Sequence, residues 1–178
     1  MRARAYGATV LAAAAVFWLM GGTQREKAVV TGAEPAGLRT LETAVVTAPG
    51  SVESRRALAQ AYLDARQPGL AVAALEAGPP TLREDVRVRH ILARALVDEG
   101  RSEEALHLEE SVAASCGPLA RGEQAPEGCD PVVLASALRR AGILRELVAL
   151  GVEDAPAHPE AMLFAYENAT REARVAVE

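Results

Sequence analysis

Residues 57–78, ALAQAYLDARQPGLAVAALEAG, spell a helix, a break at Gln67-Pro68-Gly69 and a second helix, and residues 91–112, ILARALVDEGRSEEALHLEESV, repeat the layout. Leu58 and Leu92, Ala59 and Ala93, Ala61 and Ala95, Tyr62 and Leu96, Asp64 and Asp98, and Ala71 and Ala105 are each 34 positions apart. Nothing else in the chain constrains its fold as much. A single helix pair cannot bury its apolar face, so copies in fixed register stack and share a core. In the first copy Ser51 is placed to cap a helix from Val52 to about Arg66, with Leu58, Ala61, Tyr62 and Ala65 on one stripe. Its partner runs from about Gly69 to Ala77 and shows Ala71, Ala74 and Leu75. In the second copy Thr81 and Glu84 form a T-x-x-E capping box ahead of a helix reaching Glu99, with Leu92, Ala95 and Leu96 on its stripe. Gly100 ends that helix, and Ser102 is expected to cap the next, whose face is Ala105, Leu108 and Val112.

Weaker helical signals flank the pair. Leu38, Leu41, Val45 and Ala48 recur at helical spacing until Pro49-Gly50. Asp130-Pro131 is an N-cap followed by proline at the first helical position, and Leu134, Ala135, Leu138 and Gly142 follow it. With a short partner helix from Leu144 to Leu150, these residues form a degenerate unit over 130–153. Pro159 opens a last helix through about Arg174, with Met162, Tyr166, Ala169 and Ala173 along one side, which reads as a capping helix over 158–175. Half of the 178 residues are apolar but only 3% are aromatic, and alanine leads the apolar set with leucine and valine. Small side chains of that kind favour closely packed helices over a sheet, so the expected class is all-α.

A helix-turn-helix period of 34 with small residues at the crossing resembles the tetratricopeptide repeat family, over residues 52–85 and 86–119. The family's small residue in the first helix falls on Ala59 and Ala93, its aromatic on Tyr62 and its second-helix alanine on Ala71 and Ala105. Pro49 stands where a repeat-ending proline belongs, and residues 36–50 then read as the second helix of an upstream repeat. The chain departs from the pattern at Arg55 and Arg89, at Arg83 and Gly117, and at Glu109. The resemblance implies a helical solenoid packed through Leu58, Ala59, Tyr62, Ala71, Leu92, Ala93, Leu96 and Ala105 over residues 36–178. It also implies that the first helices line a groove for peptide ligands. The residues opposite the packing stripe are Arg56, Gln60, Arg87, His90, Arg94 and, in the third unit, Arg139. Arginine suits bidentate recognition of carboxylates, so the expected ligand is an acidic segment or a chain terminus of a partner protein. The alternative is a solvated face whose arginines pair with neighbouring acids.

Arg2 and Arg4 precede an uncharged run, AYGATVLAAAAVFWLMGG, from Ala5 to Gly22. As a helix it spans about 27 Å, close to the hydrocarbon thickness of a bilayer. No small-x-small cleavage site follows and no cysteine offers a lipid-attachment point, so residues 1–22 read as an uncleaved signal anchor, with a cleaved signal and secretion as the alternative. Residues 23–35, TQREKAVVTGAEP, are a linker. The amino-terminal positive charge leaves the rest outside the cytoplasm, giving a single-pass protein of a bacterial inner membrane with a periplasmic domain.

Both cysteines bound the Gly- and Pro-rich stretch 116–130, CGPLARGEQAPEGCD. Two thiols with no nearby histidine make a poor metal site, and the spacing is far from C-x-x-C. In an exported domain a Cys116–Cys129 disulfide is the simplest reading, and a 14-residue loop of this kind contributes on the order of 3 kcal/mol. Two reduced cysteines and a reversible redox pair are the alternatives. The chain carries no G-x-S-x-G, H-E-x-x-H or G-x-G-x-x-G motif, and its sole lysine, Lys27, cannot serve a phosphate loop. His90, His107 and His158 are scattered among charged helices, and no cofactor or metal is expected. The net charge of -5 and the scarcity of aromatics argue against nucleic-acid binding. The expectation is therefore a non-enzymatic, membrane-anchored scaffold that supports an envelope complex. The alternative is a redox-responsive regulator or a non-catalytic subunit of an envelope enzyme complex.

Overall fold

Ser51 and Asp85 start two helices in the same way, 34 residues apart. Both adopt an extended backbone, and each turns a side-chain oxygen onto the free amides of the first turn: Ser51 accepts from Ser54, and Asp85 accepts from Arg87 and Val88. The helices they open, α2 (Val52–Asp64) and α4 (Val86–Asp98), have bounds 34 apart at both ends. Their partners, α3 (Pro68–Glu76) and α5 (Ser102–Cys116), begin 34 apart. The computed structural model describes residues 35–175, with side chains over 36–171; the expected anchor over 1–22 lies outside them. The other helices are α1 (Pro35–Thr47), α6 (Pro131–Ala149) and α7 (Pro159–Val175), with 3₁₀ turns at Pro80–Glu84, Gly117–Arg121 and Ala155–Ala157. All regular structure among the described residues is helical. None of these helices is long and apolar enough to cross a membrane.

Three helices also stop alike. Arg66, Gly100 and Gly151 take left-handed backbone at φ 57°, 76° and 71°, one or two residues past the ends of α2, α4 and α6. The next amide then reaches back to a carbonyl of the last helical turn: Gln67 to Tyr62 at 2.8 Å, Arg101 to Leu96 at 2.9 Å and Val152 to Leu147 at 2.9 Å. This closes carbonyls that the helix end would leave unpaired and turns the chain into the following antiparallel helix.

Successive helices pack in chain order, and α2, α4 and α6 also touch across the pairs. Ala59, Ala71, Ala93 and Ala105 expose no surface, so the helix pairs approach closely where they cross. Leu58, Leu92 and Leu96 are buried beside them, and Tyr62 is half-buried. One apolar cluster runs from Ala59 in α2 to Ala165 in α7, and a smaller one joins Val86, Val112, Cys116, Leu134 and Ala137. Tyr62 donates its hydroxyl to Glu42 at 2.8 Å, tying α1 to α2. Burial, the hydrogen bond and the Glu42 charge push the phenol up to about 12. Arg55 is buried and donates to the carbonyls of Pro49 and Ala74, so its charge meets the C-terminal end of α3. Arg89, 34 residues on, bonds Ser111 and Ser115 of α5. The two arginines that break the family pattern are thus braces between paired helices.

Several local expectations are corrected. Thr81 and Glu84 do not cap α4; they lie in the 3₁₀ turn, and the Asp85 carboxylate takes the amides instead. Ser102 is the first residue of α5 rather than its cap, and its hydroxyl donates to the Glu153 carbonyl at 2.6 Å. No short partner helix begins at Leu144, because α6 continues unbroken to Ala149. Gly142 costs the helix about 1 kcal/mol relative to alanine, but Leu144 and Leu147 are buried, and each contributes about 1.5–3 kcal/mol. A side chain at 142 would press on Ala169 of α7 at 3.3 Å. The buried stripe of α6 is Leu134, Ala137, Ala141, Leu144 and Leu147, leaving Leu138 exposed. In α7 the buried residue among the described side chains is Ala165, and Tyr166 is exposed.

The shared stop makes a paired prediction. Left-handed backbone disfavours Arg66, so Arg66→Gly raises stability by about 0.5–1 kcal/mol. Gly100→Ala lowers it by about 1 kcal/mol or more, since a Cβ there also meets Asp154 at 3.2 Å. Urea unfolding of the two variants measures both; equal effects of one sign contradict the shared geometry.

Candidate functional site

The six residues expected along the groove do not converge on one site. Arg56 pairs with Glu53 at 3.1 Å, one turn back on its own helix, and Gln60 donates to Asp64 at 2.8 Å. Arg87 turns toward the cysteine-bounded stretch, donating from Nε to the Gly128 carbonyl at 3.3 Å and standing 3.9 Å from Asp130. Arg139 lines a hollow of about 430 Å³ between α6 and α7 with Leu138, Gly142, Tyr166 and Thr170. Arg56, Gln60 and Arg87 thus have partners within the fold, whereas Arg139 has none among the described residues.

His90 is drawn inward by a residue that holds the place of an apolar one. Glu109 stands 34 positions after the buried Leu75 and has no exposed surface. Its carboxylate lies 2.7 Å from His90 Nδ1 of α4 and accepts from Arg140 Nη1 of α6 at 3.3 Å. His90 Nε2 lies 3.1 Å from the Ser136 hydroxyl of α6. A buried carboxylate is tolerated only with charged or hydrogen-bonding partners. Here the partners come from two neighbouring helices, so the carboxylate fastens α4, α5 and α6 together. On the outer side Arg145 of α6 meets Glu110 of α5 at 2.8 Å. Arg101 holds Glu104 bidentately at the start of α5 and keeps that carboxyl below its ordinary range.

Arg94 lines a second, smaller hollow. With Val97 and Asp98 of α4, Arg140, Ile143, Leu144 and Leu147 of α6, and Met162 of α7, it encloses about 160 Å³ over an apolar floor. Arg94 makes no hydrogen bond or ion pair among the described residues, and Arg140 is 34% exposed. Arg94, with Arg140 shared with Glu109 and Asp98 the one acid in the lining, provides charge for a carboxylate beside apolar side chains. Arg140 stands where the sequence reading put Arg139. The signal lay in the helical phase, since 140 is three residues after Ala137 and four before Leu144, at the edge of the buried stripe.

Cys116 and Cys129 are joined by a disulfide, with Cα atoms 5.4 Å apart. Cys116 is fully buried at the end of α5, and Cys129 is half-buried one residue before the Asp130 cap of α6. Among the described residues no group of three His, Cys, Asp or Glu side chains converges as metal ligands. Asn168 of α7 donates to Glu146 of α6 at 3.1 Å. Comparison of the chain with family models, curated proteins and solved structures finds no match.

The buried carboxylate sets a prediction. Glu109→Ala leaves His90 and Arg140 facing an unfilled space and destabilises the fold by about 3–5 kcal/mol, the range for breaking one side of a buried ion pair. Thermal or urea unfolding reads the loss, and a change below about 1 kcal/mol contradicts the assignment.

Proposed function

We propose that this chain is a tetratricopeptide-repeat-like scaffold, without catalytic activity, which holds an acidic segment or carboxyl terminus of a partner protein. The observation that carries the reading is the unpaired Arg94 beside Arg140, over the recess floored by Ile143, Leu147 and Met162. The recurrence of caps and stops at 34-residue spacing supports the repeat assignment, because it places α2 and α4 side by side with their partners on the other face. Two helix pairs follow from it, α2 with α3 and α4 with α5; α6 and α7 form a third, off-register unit, and α1 is the remnant of an upstream one.

The proposed setting is the outer face of a bacterial inner membrane. The arginine-flanked apolar run over 5–22 supports a single anchor there. An oxidising compartment accords with the disulfide and with the absence of any free cysteine. In that setting the repeat domain supports the assembly of an envelope complex.

Crosslinking in intact cells, with quantification of the captured partner, tests the reading. Arg94→Ala reduces capture at least about tenfold, as expected for a lost charge-assisted hydrogen bond. Arg139→Ala, on the other side of α6, leaves capture within about twofold. Equal capture by the Arg94 variant and the parent chain removes the recess from the reading.

A further inference from the structure

We infer that the Cys116–Cys129 disulfide is a thiol-responsive lock on α6, and that it thereby governs the Arg94–Arg140 recess. The consequence for a partner rests on the proposed binding role; the lock itself does not. The bond joins the buried end of α5 to the residue before the α6 cap, across a sequence separation of 13. Asp130, next to Cys129, accepts from the amides of Val132 and Val133 and so fixes the first turn of α6. Beyond the disulfide, that start is held to α4 by Arg87, through the Gly128 carbonyl at 3.3 Å and the Asp130 carboxylate at 3.9 Å. Both contacts are exposed and weak in water.

The first half of α6 packs on the smaller apolar cluster, which contains Cys116 itself with Val86, Val112, Leu134 and Ala137. The same half carries Ser136 to His90 and Arg140 to Glu109. Arg140 is also a wall of the recess. A change at the cysteine pair thus acts on the first half of one continuous helix, whose second half, with Ala141, Leu144 and Leu147, belongs to the main core and lines the recess.

The two sulfurs differ in access. Cys116 is fully buried, whereas Cys129 is half-buried at the edge of the smaller cluster, which makes Cys129 the more accessible of the two. A thiolate of a dithiol reductant attacks Cys129 Sγ; the sulfur–sulfur bond breaks, and Cys116 leaves as a thiolate and takes up a proton. The second thiol of the reductant then attacks the mixed disulfide and releases Cys129 as a thiol. Two electrons pass to the protein, and the reductant departs as its own disulfide. Reoxidation by a disulfide-donating partner reverses the steps and reseats α6.

Hydrogen exchange of the full chain, read by mass spectrometry with and without dithiothreitol, tests the lock, and alkylation of the sample reports the thiols. On reduction, amides over residues 134–140 exchange faster by on the order of tenfold to 100-fold, the size of a lost loop constraint, while those of α2 and α3 stay within about twofold. The Cys129→Ala variant shows the fast pattern without reductant. Acceleration confined to residues 117–129 overturns the proposal, as does equal acceleration in α2 or a bond that dithiothreitol does not open in the native chain. Because exchange is read on the free protein, a chain that loosens α6 on reduction yet captures no partner keeps the lock and loses only the scaffold reading.

Discussion

The buried Glu109 carboxylate is the constraint around which the second half of the domain is arranged. A charge with no exposed surface carries a desolvation cost of several kcal/mol, offset only by well-placed partners. His90 and Arg140 supply those partners from α4 and α6, so the three helices must sit in one relative position for the charge to be tolerated. The first helix pair solves the same place differently, with Leu75 packed among apolar neighbours. A Leu at this position accepts many rotations of a neighbouring helix; a carboxylate between an imidazole and a guanidinium accepts few. The repeat therefore changes character along the chain, from apolar stacking to a polar fastening that specifies where α6 lies.

Much of this architecture was legible in the residues because it is written locally. Ser51 and Asp130 act as caps through their own side chains and the amides that follow, and Gly100 stops α4 through its own backbone freedom. The 34-residue register marked every helix of the first two pairs. What escaped was set by contacts between distant residues. Ser102 looks like a cap, but its hydroxyl is taken by the Glu153 carbonyl far along the chain. The expected partner helix from Leu144 is absent because α6 runs on through Gly142, where a side chain would meet Ala169 at 3.3 Å. Arg139 and Arg140 are adjacent in sequence and face different hollows, and the distinction depends on a buried stripe one residue away from the one the pattern indicated.

For the binding face, the arginines divide into those with structural partners and those without. Arg55 and Arg89 brace helix pairs, Arg87 anchors the stretch between the cysteines, and Arg140 serves both Glu109 and the recess. Arg94 and Arg139 make no hydrogen bond or ion pair among the described residues, and each lines a hollow. A row of basic residues seen in sequence thus divides between two hollows, one lined by Arg94 and Arg140 and one by Arg139, on either side of a helix that meets the buried Glu109. Arg140 belongs both to the Glu109 fastening and to the recess, so the fold and the recess share an interaction.

A double-mutant cycle between His90 and Glu109, read by urea unfolding, tests most directly whether the carboxylate fastens the helices. The account predicts that removing either residue forfeits the same contact, with a coupling energy of about 1–3 kcal/mol. Losses that add to within about 0.3–0.5 kcal/mol would contradict it, because the two groups would then contribute independently.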